Sequence, residues 1–342
     1  MSMLSLVKRW FTATAAAGVM ALIGASGAQA DCVFAKSGTM PLSLEGGRLV
    51  TSATINGKPV RFLVDTGAFA SLVSRPAAAR LGLGARDANT LMYGLDGGDR
   101  IKQATLASLD LGTWHRQGVA VYVSGQHDFV PANPDIVGVL GMDFLQGYDI
   151  EFDLSHKALS LYRPEGCDAV ELAYWTKTYS AIALDDSHAN WRDAIRLQIA
   201  INGRPVAAQL DSGAAVSVLD AAVARASGVH YGQAPTGTTY DHGPVESHVG
   251  VFDTLTLGDE AIRNAKLRIS DIYGDFSGGW SGSQLKAPLG DVNLLLGADF
   301  LRAHHVYVAF SQRKVYFTYE GGPAFSLQKP MRTCDCGQGG GA

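Results

Sequence analysis

The stretch "INGKPVRFLVDTGA", Ile55 to Ala68, ends an apolar run on a carboxylate. Phe62, Leu63 and Val64 lead directly into Asp65, the pattern of a buried strand that terminates on an acid. A lone buried charge is costly, so Asp65 requires a partner elsewhere in the chain. "INGRPVAAQLDSGA", Ile201 to Ala214, supplies one: it repeats the first stretch with Asp211 in the place of Asp65, 146 residues further on.

The repeat extends outward from these two stretches. "LDLG" ends at Gly112 and "LTLG" at Gly258, in the same register. "VLGMDFL" carries Gly141 and "LLGADFL" carries Gly297, now 156 residues apart. The second copy therefore holds an insertion, which falls in "DIYGDFSGGWSGSQLKAPLGD" (271–291) and reads as a Gly/Ser-rich surface loop. Beyond it, "FDLSHKAL" is answered by "VAFSQRKV". Two copies of one unit account for most of the chain.

Within each unit the pattern is β. "SATING" and "LQIAING" read as strands that turn at Asn-Gly, and "KPVRFLVD" as the returning strand. "ASLVSRPAAARLG" reads as a short helix after the active loop, stopped by Gly82. "TLMYGLDGGDRIKQATLASLDLG" reads as a hairpin with its tip near "GLDGG", and "GVAVYVS" as a strand. "IVGVLGMDFLQ" gives an apolar strand, a Gly turn and a short helix, and "YDIEFDLSHKALSLYR" a closing hairpin. The expected boundaries are 1–30 for a leader, 31–165 for the first repeat, 166–190 for a linker, 191–320 for the second repeat and 321–342 for a tail.

Composition narrows the function class. The 342 residues are 47% hydrophobic and 18% charged, as in a well-packed globular chain, and the 40 glycines punctuate β-branched stretches. A net charge of −4 without a basic patch argues against a nucleic-acid partner. Lys8 and Arg9, the apolar "WFTATAAAGVMALIG" and the small residues "AQA" at 28–30 form the pattern of a bacterial secretory signal peptide. The apolar core is short for a membrane span. A soluble protein of the periplasm or the exterior is expected.

Export makes disulfides the default use of cysteine. Cys32, Cys167, Cys334 and Cys336 allow three pairings. A Cys334–Cys336 bridge would close a very small ring, which favours pairings of Cys32 and Cys167 with the C-terminal pair. A metal site is the alternative, but the spacing matches no zinc pattern. The nine histidines are scattered, and the adjacent His304 and His305 read as surface or structural residues. The expectation is no metal and no cofactor.

Two carboxylates at hydrogen-bonding distance share one proton, and one pKa rises. The ionised member can take a proton from water while the protonated member polarises a carbonyl; this division of labour is the standard account of aspartic proteases. The neighbours suit the role. Gly67 and Gly213 permit a tight turn with N–H groups aimed at the acids. Thr66 and Ser212 place a hydroxyl at the same position in each copy, able to bond across to the opposite loop. Ser71 and Ser217 are a further matched pair that could support the loops.

On Asp65-Thr66-Gly67-Ala68, Asp211-Ser212-Gly213-Ala214, and the apolar-apolar-Gly segments at Val139-Leu140-Gly141 and Leu295-Leu296-Gly297, the chain resembles a retropepsin-like aspartic protease of the bacterial exported type, with two fused copies. The resemblance spans most of 50–162 and 196–318. It implies an all-β fold: two tandem closed β domains about a pseudo-twofold axis, with short helices after the active loops. It implies catalysis by Asp65 and Asp211 on an extended peptide in a cleft beneath a flap, by a chain that is monomeric because it carries its own second half. The flap would be "MYGLDGG" (92–98), with Tyr93, Gly94, Leu95 and Gly97 over substrate. Its counterpart "TYDHGPV" (239–245), with Tyr240, has one Gly and a Pro, so a stiffer lid is expected in the second half. The resemblance also implies that chain ends gather at the interface of the halves, where disulfides would staple them. Gln209 departs from the pattern, since an apolar residue is usual two positions before the acid.

An aspartic endopeptidase is the leading reading. A non-cleaving peptide-binding protein of the cell envelope on the same fold is the alternative, and a structural envelope protein built by duplication is a third that gives no reason for two matched acids.

Overall fold

The computed structural model describes residues 31–94, 97–130, 132–185, 194–232, 238–240, 243–245, 247–271 and 292–325. The signal-peptide reading, the 272–291 part of the inserted loop, most of the tail, and Cys334 and Cys336 lie outside these residues.

In the first half the elements are β1 (Val33–Glu45), β2 (Arg48–Ile55), β3 (Lys58–Val64), β4 (Leu72–Ser74), α1 (Arg75–Leu81), β5 (Ala85–Gly94), β6 (Gly97–Leu111), β7 (Trp114–Ser124), β8 (Ile136–Leu140), α2 (Met142–Leu145), β9 (Asp149–Asp153) and β10 (Ala158–Glu165). The second half runs β11 (Ser180–Ala183), β12 (Arg196–Ile201), β13 (Arg204–Leu210), β14 (Val218–Asp220), α3 (Ala221–Ala226), β15 (His230–Tyr231), β16 (Thr238–Tyr240), β17 (Gly243–Val245), β18 (Ser247–Leu257), β19 (Glu260–Ser270), β20 (Leu294–Leu296), α4 (Ala298–Ala303), β21 (His304–Ala309) and β22 (Lys314–Tyr319). The all-β reading holds, with short helices after the active loops.

Local chemistry explains these elements. The Asn56-Gly57 and Asn202-Gly203 turns have φ of 51° and 79°, and 49° and 76°. Both turn residues take positive φ, as a two-residue hairpin turn that matches strand twist requires. Helix α1 starts where the Ser74 side chain accepts from the Ala77 N–H, and α3 where Asp220 accepts from the Ala222 and Val223 N–H groups.

The strand order is the same in both halves: β2-β3-β8-β4-β7-β6-β5 in the first and β12-β13-β20-β14-β19-β18-β15 in the second. Extra pairings of β2 with β6 and of β12 with β18 close each sheet on itself. The ends of β3 and β13 are buried on both faces, because each lies parallel to an apolar strand, β8 or β20. This is why three apolar residues precede Asp65.

The halves join through one sheet of order β11-β22-β21-β9-β10-β1. Its centre is the pairing of β21 with β9, Val306 opposite Phe152 and Val308 opposite Ile150, so each half contributes one side. Strand β11 occupies the place in the second half that β1 takes in the first, although it comes from the stretch that reads as a linker. No described helix is long and apolar enough to cross a membrane.

The disulfide expectation requires correction. Cys32 is bonded to Cys167, not to the C-terminal pair. The reason is register: β1 runs antiparallel to β10 with Val33 opposite Glu165, which brings the two cysteines to the same end of the ladder with Cα atoms 4.5 Å apart. The bridge therefore fastens the first half's N-terminal strand to the end of that half and does not staple one half to the other. It closes a loop of 135 residues. Cys167→Ser should lower unfolding stability by about 2–5 kcal/mol, read as a lower denaturant midpoint; an unchanged midpoint would mean the bridge constrains nothing.

Candidate active site

Strands β3 and β13 end at equivalent points and set two loops against each other. The Asp65 N–H donates to Leu140 O at 3.0 Å and the Asp211 N–H to Leu296 O at 2.8 Å, so each loop is tied to the parallel strand beside it. Both acids are half-buried. Asp65 Oδ1 accepts the N–H groups of Gly67 at 2.8 Å and Ala68 at 3.0 Å. Asp211 Oδ1 accepts those of Gly213 at 3.0 Å and Ala214 at 3.2 Å. Each carboxylate also faces the opposite loop: a Cβ at Gly67 would stand 2.5–2.7 Å from the Asp211 carboxyl atoms, and one at Gly213 would collide with those of Asp65. The two carboxyl groups are close enough to bias one another's ionisation.

This geometry sets their protonation. Burial, joined by the facing Asp65 charge, pushes Asp211 up to about 7. Burial also raises Asp65, opposed by the Gly67 and Ala68 N–H groups, by Asp211 and by the positive charge of Arg48. The Arg48 charge favours the ionised form of Asp65. Arg48 has no counterpart motif in the second copy and gave no signal in sequence.

Thr66 and Ser212 are buried and interlocked. The Thr66 N–H donates to Ser212 Oγ at 3.0 Å and the Ser212 N–H to Thr66 Oγ1 at 2.9 Å. The hydroxyls donate in turn to the far strand ends, Thr66 Oγ1 to Leu210 O at 2.7 Å and Ser212 Oγ to Val64 O at 2.8 Å. Four reciprocal bonds in a buried place fix the separation of the loops, because loss of either hydroxyl strands polar backbone groups.

Ser71 and Ser217 lie behind the loops. Ser71 donates through its N–H and Oγ to Asp143 Oδ1 at 2.8 and 2.6 Å, and its Oγ accepts the Gly141 N–H at 3.0 Å. Ser217 does the same with Asp299 Oδ1 at 2.9 and 2.6 Å and the Gly297 N–H at 2.9 Å. Asp143 and Asp299 are thus anchors of the active loops. Sequence reasoning missed this role, although both acids stand inside the repeated Asp-Phe-Leu.

Of the flap residues, Tyr93 and Gly94 end β5, with Tyr93 opposite Gly98 and Gly94 opposite Gly97, and Tyr240 ends β16 opposite Gly243. Their side chains, and all of Leu95, lie outside the described part. Among the described residues, β5 pairs with β6 from Ala85 opposite Ala104 to Gly94 opposite Gly97, and β16 with β17 from Thr238 opposite Val245 to Tyr240 opposite Gly243.

A family model described as aspartyl protease matches residues 51–144 and 197–300. Among solved structures the chain is similar to a retropepsin-like aspartic protease from Rickettsia conorii, with 20% identity, a TM-score of 0.29, and coverage of 39% of this chain and 94% of that one. No curated protein matches the chain.

Proposed function

From the premise that the chain belongs to the aspartyl protease family, whose model spans both active loops, we propose that it is an endopeptidase in which Asp65 and Asp211 activate one water between them. The carrying observation is a pair of carboxyl groups brought against each other's loops from the two halves, each held by two N–H groups.

The chemistry follows from the shared proton. Ionised Asp65 takes a proton from water as the water oxygen bonds to the peptide carbonyl carbon. Asp211 gives its proton to the carbonyl oxygen, so no free oxyanion builds up. A hydroxyl of the resulting diol then returns its proton to the dyad as the carbonyl re-forms. The dyad protonates the nitrogen, and the carbon–nitrogen bond breaks. The pair ends with one proton, as it began.

The substrate is an extended peptide, held as an added strand with side chains in alternating pockets. Tyr93, Gly94, Leu95, Gly97 and Tyr240 would lie over it. The chain works as an exported monomer of the periplasm or exterior; the leader pattern and the Cys32–Cys167 bridge support export.

The test is a peptide library incubated with the purified chain across pH, with and without a hydroxyl-bearing transition-state mimic. Cleavage should fall as pH rises through about 7, because Asp211 then loses the proton it must donate, and the mimic should block it. Peptide binding without products at any pH would identify the non-cleaving module instead.

A further inference from the structure

On the seam between the halves, three carboxylates converge on one buried imidazole. His305 in β21 is 5% exposed and stacks on the Trp175 indole with centroids 4.2 Å apart and planes 12° apart, so its ring plane is set. Its Nε2 lies 3.0 Å from Oε1 of buried Glu151, which also accepts the Tyr162 hydroxyl at 2.9 Å and that of Tyr174. With Nε2 engaged by Glu151, the other ring nitrogen, Nδ1, is turned to the opposite edge of the imidazole, towards the seam.

Nδ1 faces Glu320 Oε1 at 3.6 Å and Asp153 Oδ1 at 4.0 Å, both beyond hydrogen-bond length, and it has no hydrogen-bond partner among the described residues. Asp153 Oδ1 accepts from the Ser155 hydroxyl and the His156 N–H. A ring nitrogen and two carboxylate oxygens gathered this closely are a donor set for a cation.

We propose that His305 Nδ1, Asp153 and Glu320 bind a divalent cation of the zinc type across this seam, with Glu151 as the carboxylate that orients His305. The three ligand atoms lie within 4.8 Å of one another. Zinc takes imidazole nitrogen and carboxylate oxygen at about 2.0–2.2 Å, so the ligands must draw together. Glu320, 31% exposed, is free to move in, whereas His305 is fixed by stacking and by Glu151. A carboxylate on the second ring nitrogen is the arrangement that orients metal-bound histidines. His156, 2.8 Å from Asp153, is the next nitrogen available to complete the shell. The ligands come from β9 of one half and from β21 and the end of β22 of the other, so the ion cross-links the two repeats. Sequence could not show this, because Glu151 and His305 stand 154 residues apart.

Zinc chloride titrated by calorimetry into the metal-stripped full chain at neutral pH should report one equivalent with micromolar or tighter affinity and raise the melting temperature. Asp153→Asn and Glu320→Gln should each weaken that affinity roughly tenfold or more, and His305→Gln should remove it. A variant with both Asp65→Asn and Asp211→Asn should keep the equivalent, which separates this site from zinc held at the dyad. Should His305→Gln not fold, the partly exposed Glu320→Gln carries the test. No uptake at millimolar zinc would overturn the proposal; so would equal affinity in the Asp153 and Glu320 variants.

Discussion

Asp211→Asn is expected to lower peptide cleavage by about a thousandfold or more while the chain remains folded. The substitution preserves shape and keeps an oxygen for the Gly213 and Ala214 N–H groups. It leaves the Thr66–Ser212 interlock untouched. What it removes is the proton donor of the proposed mechanism. Stability should move the other way. Asp211 has a folded-state pKa above its unfolded value, so its contribution is fully present below the ordinary carboxylate range and is lost as pH rises through about 7. Asn cannot ionise, so the variant should gain stability relative to the parent at alkaline pH, where the parent must hold two facing charges. Cleavage rates and melting curves at acid and alkaline pH read both effects. Cleavage within tenfold of the parent in both Asp65→Asn and Asp211→Asn would place the chemistry elsewhere.

The parts of the fold that sequence discloses are those with a short-range or periodic cause. Asn-Gly turns demand positive φ, Ser74 caps the helix that follows it, and an apolar run before Asp65 signals a strand buried on both faces. Duplication then doubled every weak signal. What stayed hidden depends on register and distant packing. The Cys32–Cys167 bond follows from Val33 meeting Glu165, which no spacing rule anticipates. Arg48 acts on Asp65 through space. The linker's strand β11 is four residues that pair with the edge of β22. Gln209 was visible as a departure, but its setting was not. It lies opposite Arg196, both buried, where the first half pairs the apolar Val50 and Leu63. The second half therefore carries a polar pair in a place that its sister seals with hydrocarbon, and the pseudo-symmetry is broken there.

Gly213→Ala should separate activity from stability most sharply. The backbone at Gly213 does not lie at positive φ, so alanine meets no conformational penalty there. The obstacle is the added Cβ, which would overlap the Asp65 carboxylate. That carboxylate is the end of a side chain and can rotate away, but only by giving up its bonds from Gly67 and Ala68 and its place opposite Asp211. Two lost bonds to a charged acceptor cost about 2–5 kcal/mol at most, less what water restores, and the melting temperature should fall by a few degrees. Displacing a catalytic group by about an ångström costs on the order of a hundredfold in rate, and the lost proton sharing adds to that. Gly57→Ala provides the contrast. Gly57 has φ of 79° with open space around it, so alanine there should cost about 1 kcal/mol of stability and leave cleavage unchanged. Paired measurements of kcat/KM and melting on the two variants decide the matter. If Gly213→Ala cleaves within tenfold of the parent, the close approach of the second loop to Asp65 is not what catalysis depends on.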